Sequence, residues 1–117
     1  MMVFRKRALG LASLLALGLF AVAAPPFVSA VAAPAAMSAV TIKNMNFAQP
    51  ALRVKVGTTV TWTNGDQVPH NIVARDGSFR SKFLMTGDHF SFKFTRKGEF
   101  AYYCAIHPQM VAKIIVT

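Results

Sequence analysis

Hydrophobic and polar residues alternate with a period of two along most of the chain after residue 38. In "LRVKV", for example, Leu52, Val54 and Val56 fall on one face, and Arg53 and Lys55 fall on the other. Strict alternation of this kind is typical of β-strands that bury one face. Seven segments have the pattern: "AVTIKNMNF", "LRVKV", "TTVTWT", "HNIVAR", "HFSFKFT", "EFAYYC" and "MVAKIIVT". No segment longer than a turn has the period of an α-helix.

Turn residues separate these segments. Five glycines, each beside a polar residue, break the alternation: Gly57, Gly65, Gly77, Gly87 and Gly98. Breaks of this composition mark turns. Short strands at a spacing of about 8–12 residues predict an all-β sandwich or barrel. The segment 76–87 is the least regular, and we expect a loop or an irregular strand there.

The N-terminus has the layout of a secretory signal peptide. The cationic "MMVFRKR" precedes an uncharged run from Ala8 to Ala24, and small residues then dominate as far as Ser38. This order of segments is typical of signal peptides. We therefore expect residues 1–36 to be a leader that is cleaved between about residues 30 and 38, and residues 37–117 to form the exported domain. An uncleaved membrane anchor is the alternative, because the uncharged run approaches the length of a membrane span.

Charge excludes some partners of the exported domain. Once the leader and its three basic residues are removed, ten basic and four acidic residues remain, a net charge of +6. The basic residues are scattered and are not interleaved with aromatic residues, so nothing indicates nucleic-acid binding. Either a solvated surface or steering toward an acidic protein partner accounts for this charge.

The cysteine content raises a question of stability. A domain of about 80 residues is small for a core that must stabilise the fold alone, and exported domains of that size usually contain disulfides. The chain has one cysteine, Cys104, so an internal disulfide is impossible. A lone cysteine in an exported protein indicates intermolecular pairing or other chemistry.

Cys104 lies in "YYCAIHPQM", together with His107 and Met110. A buried cysteine that only fills space is a common alternative. A tight loop, favoured by Pro108, can bring the three side chains to one point, whereas a helix would turn Met110 away. Thiolate, imidazole and thioether ligands together suit copper. Zinc also binds cysteine and histidine, but structural zinc sites rarely use methionine.

A copper site for electron transfer needs a second imidazole. His70 follows Pro69 and opens an apolar strand, whereas the alternation of "HFSFKFT" places His89 outward. We therefore favour His70. Its neighbour Asn71 could form a hydrogen bond to the cysteine loop and hold the two segments in register.

These residues resemble a known family. "VKVGTTVTWTN", "PHNIV" and "YYCAIHPQM" with an apolar terminal strand resemble the cupredoxins, the blue type 1 copper proteins, and within them the amicyanin type. The likeness runs from about residue 40 to the C-terminus. It implies a Greek-key β-sandwich of about seven to eight strands and one copper ion. It also implies that His70, Cys104, His107 and Met110 are the copper ligands and that Asn71 supports them.

The resemblance further implies a function. The protein would be an exported, periplasmic electron carrier that cycles between Cu(II) and Cu(I), with no enzymatic activity and no membrane contact after cleavage of the leader. It would be a monomer with transient redox partners, for example a dehydrogenase donor and a cytochrome c acceptor. An apolar patch would surround His107: Val68, Pro69, Met85, Ile106 and Pro108. Ile106 and Gln109 depart from the usual residues of the amicyanin loop, which affects the expected partner rather than the copper site.

Three other functions have less support. A cysteine–histidine enzyme would need an orienting acid and a substrate pocket, and no such acid is evident beside "CAIHPQM". A β-sandwich interaction module would not need His70. A periplasmic copper carrier or storage protein on the same fold would use the same ligands, so sequence does not separate it from an electron carrier.

Overall fold

The computed structural model describes residues 3, 10, 16–27 and 36–117. The predicted leader, residues 1–36, therefore lies largely outside the described residues, as does most of the range predicted for its cleavage. Two units are distinguished, residues 1–31 and residues 32–117. In the first unit, residues 16–27 form neither helix nor strand. Of the residues that are described, none belongs to a helix with the length and hydropathy of a membrane span.

Eight strands form two four-stranded sheets within residues 36–117. The strands are β1 (Met37–Lys43), β2 (Asn46–Phe47), β3 (Ala51–Val54), β4 (Thr59–Asn64), β5 (Val73–Ala74), β6 (His89–Lys93), β7 (Gly98–Cys104) and β8 (His107–Val116). The order is β2-β1-β4-β6 in one sheet and β3-β8-β7-β5 in the other. The pairs β1–β4 and β3–β8 are parallel, and all the others are antiparallel. The predicted all-β sandwich of about seven to eight strands is confirmed.

Three local predictions need correction. The first predicted strand is interrupted by a turn at Asn44 and Met45, which separates β1 from β2. The second predicted strand, "LRVKV", ends at Val54, so Val56 is 42% exposed and does not share the buried face of Val54. The last strand begins at His107, so the connection from β7 contains only two residues and is shorter than the predicted ligand loop.

Aromatic side chains fill the space between the sheets. Trp62 of β4 is fully buried, and its ring centroid lies 5.5 Å from that of Tyr102 of β7. Phe79 packs against Trp62 although it lies in the irregular segment between β5 and β6. Large buried aromatic surfaces supply much of the hydrophobic stabilisation of a small domain. The core thus fixes the separation of the two sheets, and with it the positions of the strand ends that carry the candidate site.

Candidate metal centre

Cys104 is the last residue of β7 and is fully buried. The alternation that turns Phe100 and Tyr102 inward also turns Cys104 inward. The pairing of β7 with β8 shifts between Tyr103 and Cys104, so Cys104 pairs directly with His107 across a two-residue turn. Such an irregularity redirects a side chain at the end of a sheet. Here it brings the imidazole of His107 beside the cysteine sulfur.

His70 reaches the same point from the other connection. It lies between β4 and β5, where its backbone exchanges two hydrogen bonds with Leu84, and its side chain is fully buried. The Nδ1 atom lies 3.8 Å from Cys104 Sγ, and His107 Nδ1 lies 3.7 Å from the same sulfur. The three donor atoms are all within 4.8 Å of one another. The fold therefore gathers residues that are 34 positions apart in the chain.

The spacing of these atoms fits a metal ion of the first transition row. Such ions hold nitrogen and sulfur ligands at about 2.0–2.3 Å, and a trigonal arrangement then separates neighbouring donors by about 3.5–4 Å. The two nitrogen–sulfur distances, 3.8 and 3.7 Å, fall in that interval. Met110, on β8, is 2% exposed and belongs to the same buried cluster as Cys104. Two imidazoles, a thiolate and a buried thioether are the donor set of copper electron-transfer sites.

Asn71 joins the two segments that carry these residues. Its side-chain Oδ1 accepts a hydrogen bond of 2.8 Å from the amide of Ala105. Its own backbone amide donates to Cys104 Sγ at 3.5 Å. The first contact restrains the turn after Cys104, and the second joins the backbone beside His70 to the cysteine sulfur.

Two further polar residues of the site escaped the sequence analysis. Asn64 is fully buried and donates from Nδ2 to the carbonyls of Val68 and Leu84, which lie on either side of His70. Asp66 accepts a hydrogen bond of 2.9 Å from His70 Nε2. Both belong to "NGD", whose composition indicated only a turn. The position of Asp66, four residues before His70, was the available signal for this contact. Without the fold, such a spacing does not predict a hydrogen bond.

The electrostatic state of Asp66 follows from its contacts. Desolvation by itself would raise the pKa of this carboxyl group, but hydrogen bonds from the Met45 amide, the His70 ring and the Asn44 amide outweigh desolvation. The pKa of Asp66 therefore lies below its ordinary value of 3.8. Near neutral pH the group is a carboxylate that can only accept hydrogen bonds, so His70 Nε2 must carry the proton that it shares with Asp66.

The other predicted residues lie outside the donor cluster. His89 is exposed at the start of β6, and the structure does not bring it to Cys104. Val68, Met85 and Ile106 are 40%, 58% and 45% exposed. Pro69 is half-buried and Pro108 is exposed. Phe83, which the sequence analysis did not include, is 49% exposed on the segment that passes His70.

Comparisons with known proteins agree with this geometry. The model of the family "Copper binding proteins, plastocyanin/azurin family" matches residues 35–117. Amicyanin-alpha of Methylorubrum extorquens is 37% identical over 89 residues, which are 72% of this chain and 75% of that protein. The family model covers nearly the whole second unit of the chain.

Solved structures show the same likeness. The amicyanin of Paracoccus versutus superposes with a TM-score of 0.65 at 32% identity, over 73% of this chain and 85% of that one. A protein described as a novel purple cupredoxin from Nitrosopumilus maritimus superposes with a TM-score of 0.64 at 36% identity, over 68% of this chain and 99% of that one. The predicted resemblance to cupredoxins of the amicyanin type is confirmed, as are copper as the cofactor and electron transfer rather than catalysis as the function. The chain belongs to the plastocyanin/azurin family of copper-binding proteins, which are electron carriers.

Proposed function

We propose that this chain is an exported blue copper protein whose ligands are His70 Nδ1, Cys104 Sγ, His107 Nδ1 and the thioether of Met110. The observation that carries the proposal is the convergence of three donor atoms within 4.8 Å at the end of the sandwich. Bound copper supplies one-electron redox chemistry. The ligand residues hold a nearly fixed geometry for both oxidation states, which keeps the reorganisation cost of electron transfer low.

The surroundings of the ligands support an electron carrier. Cys104 and His70 are fully buried, so water has little access to the sulfur atom of Cys104. His107 is half-buried and is flanked by exposed Ile106 and Pro108. An electron can therefore pass through the edge of the His107 ring to a partner that never contacts Cys104.

The exposed apolar residues around His107 form a docking patch in this proposal. The patch consists of Val68, Pro69, Met85, Ile106 and Pro108, and we add Phe83 to it because it is 49% exposed. Arg80 and Lys82 are exposed on the same segment as Phe83. Charges beside an apolar contact steer association and give a fast, weak encounter. A transient acidic redox partner suits this surface, and we propose a dehydrogenase as donor and a cytochrome c as acceptor for a monomeric carrier.

A pair of matched substitutions tests the patch. Ile106→Ser removes an exposed apolar side chain beside His107, and Val56→Ser removes one of similar exposure beyond the end of β3, at the other end of the sandwich. Stopped-flow oxidation of the reduced protein by a c-type cytochrome measures the second-order rate constant. We expect a decrease of about tenfold for Ile106→Ser only, because loss of about 1.4 kcal/mol of contact changes an equilibrium tenfold. Equal rate constants for the two variants would contradict the patch.

Ligand identity is tested with the three histidines. His70→Asn and His107→Asn should each lose tight binding of copper(II), whereas His89→Asn should bind copper as the unmodified chain does. Competition with a chromophoric chelator measures the dissociation constant. Loss of affinity in His89→Asn, or its retention in His70→Asn, would overturn the ligand set.

A copper carrier or storage protein is the second candidate, since the same donor atoms would serve it. Carriers release their metal to a partner, whereas an electron carrier retains it in both oxidation states. Voltammetry distinguishes them: we expect a reversible one-electron wave with no loss of copper over repeated cycles. Release of Cu(I) on reduction would favour the carrier.

We further propose periplasmic export, with residues 1–36 as a cleaved leader. Expression of the full chain in a Gram-negative host and mass measurement of the periplasmic fraction test this. The expected N-terminus lies between about residues 30 and 38. A full-length chain in the membrane fraction would instead indicate an anchor.

A further inference from the structure

Asp66 is a buried charged side chain beside the metal centre that the ligand set does not use. It is 8% exposed and lies in the connection that leads from β4 to His70. Burying a carboxylate is costly unless donors compensate it. The contacts that compensate the charge of Asp66 therefore indicate the role of this residue.

Three donors converge on the Asp66 carboxylate. Oδ1 accepts the amide hydrogen of Asn44 at 2.8 Å, and Oδ2 accepts that of Met45 at 2.9 Å. Oδ2 also accepts the Nε2 hydrogen of His70 at 2.9 Å. One side chain thus ties the ring of His70 to two consecutive backbone amides of another connection.

Those two amides belong to the turn between β1 and β2. Asn44 and Met45 have φ values of 51° and 59°, and Lys43 pairs with Asn46 across the turn. Two consecutive positive φ values are characteristic of a type I′ hairpin turn. Methionine is strained in this conformation, at a cost of roughly 1–3 kcal/mol. The hydrogen bonds to Asp66 help to stabilise the turn despite that strain.

Close packing brings Asp66 within reach of the turn. The amide of Gly65 donates to the carbonyl of Ile42 at 2.8 Å, and Lys43 Nζ donates to the carbonyl of Gly65 at 2.7 Å. A Cβ atom on Gly65 would lie 3.1 Å from that Ile42 oxygen, closer than most such contacts. The glycine therefore allows the β4 connection to lie directly against the end of β1.

The contact with Asp66 decides which nitrogen of His70 faces Cys104. Because a carboxylate only accepts hydrogen bonds, the proton of the neutral ring resides on Nε2, and Nδ1 keeps its lone pair. That nitrogen lies 3.8 Å from Cys104 Sγ. A hydrogen-bonded carboxylate behind a ligand histidine fixes both its tautomer and its ring orientation.

We propose that Asp66 is a positioning residue of the copper centre, which anchors His70 to the β1–β2 turn so that Nδ1 faces the metal. The inference deepens the proposed function and rests on the ligand role proposed for His70. The negative charge of Asp66 also stabilises Cu(II) more than Cu(I), because the more highly charged ion is attracted more strongly. Asp66 therefore lowers the reduction potential.

Asp66→Asn is the sharpest substitution. The amide keeps the shape of the carboxylate but has only one acceptor oxygen for the three donors, and its NH₂ group faces a donor. We expect the copper–thiolate absorption band to persist, copper(II) affinity to fall by about 10–100-fold and the reduction potential to rise. Asp76→Asn is the matched control, because Asp76 is exposed and accepts a hydrogen bond from the amide of Ser78 in its own turn.

Two kinds of measurement are needed, and both use the full chain with its own leader. Chelator competition and voltammetry report on the copper-loaded protein. Long-range ¹H–¹⁵N correlation spectra of the apoprotein report the tautomer of His70 without any metal. We expect an Nε2–H tautomer in the unmodified chain and in Asp76→Asn, and a mixture of tautomers in Asp66→Asn.

The outcomes separate the two proposals. An unmodified chain that gives no copper–thiolate band but has the expected tautomers would refute the proposed ligands and leave the Asp66–His70 anchor supported. Equal copper affinity, potential and tautomer in Asp66→Asn and Asp76→Asn would overturn the role of Asp66. If Asp66→Asn fails to fold, Asp66→Glu replaces it, and a displaced carboxylate should then alter the affinity and the tautomer in the same direction.

Discussion

The side-chain oxygen of Asn71 accepts a hydrogen bond of 2.8 Å from the backbone amide of Ala105, 34 residues further along the chain. Asn71 follows His70, and Ala105 follows Cys104. The bond therefore connects the two segments that carry the proposed ligands at a point directly beside them. This relationship leads to a first prediction about how far the site is formed before copper binds.

Asn71→Ala should destabilise the apoprotein by about 1–3 kcal/mol, because the amide of Ala105 loses its partner in a partly buried position. Urea unfolding of the copper-free protein measures this change. Asn46→Ala is the control, since Asn46 makes only an exposed contact with its own turn, to Asn44. Similar unfolding midpoints for the two variants would show that the contact between Asn71 and Ala105 does not stabilise the copper-free protein.

Met110 provides a prediction about the potential. Met110→Leu conserves the volume of a buried side chain, which cores tolerate well, but removes the thioether lone pair. The copper–thiolate band should persist, and the reduction potential should rise because Cu(II) loses an axial donor. Voltammetry measures the potential, and Met85→Leu is the control because Met85 is 58% exposed. An unchanged potential in Met110→Leu would show that the sulfur does not contact the metal.

The alternation of residues predicted the strands, because the period of two is a local property of extended chain. In the structure the same alternation turns Cys104 inward. The pairing of β7 with β8 decided where His107 and Met110 lie. His107 and Met110 lie on β8 rather than in a loop, since the shifted pairing beside Cys104 lets β8 begin at once. Local composition does not reveal such a shift in register.

Buried polar partners were the least predictable part of the site. Asp66 is held by amides of a turn that lies 21 and 22 residues earlier in the chain, and by His70. Phe79 fills the core from a segment without regular structure. Both depend on long-range packing that no local pattern encodes. Resemblance to a family supplied the predicted ligands and Asn71, but neither Asn64 nor Asp66.

Tyr102 provides a prediction about alkaline pH. Burial raises the pKa of its hydroxyl group to about 12. In the unfolded chain the group has a pKa of about 10. The protonated hydroxyl therefore contributes stability that is complete below about pH 10 and is lost as the pH rises toward 12.

Tyr102→Phe should remove that part of the pH dependence. Between pH 10 and 12 the unmodified apoprotein should lose about 2–3 kcal/mol of unfolding free energy more than the variant does. Tyr103→Phe is the control, because Tyr103 is half-buried beneath Arg75. All other ionisable groups are the same in the unmodified chain and in Tyr102→Phe, so their contributions cancel in that comparison. Parallel curves for the unmodified chain and Tyr102→Phe would contradict the shifted pKa.

The central claim is that copper binds through the Cys104 thiolate together with His70 and His107. Visible absorption and electron paramagnetic resonance of the copper(II)-loaded protein test it most directly, with Cys104→Ser measured in parallel. The account predicts an intense band and an unusually small copper hyperfine splitting in the unmodified chain, and neither feature in Cys104→Ser. A pale solution with an ordinary copper signal, the same in both proteins, would contradict it.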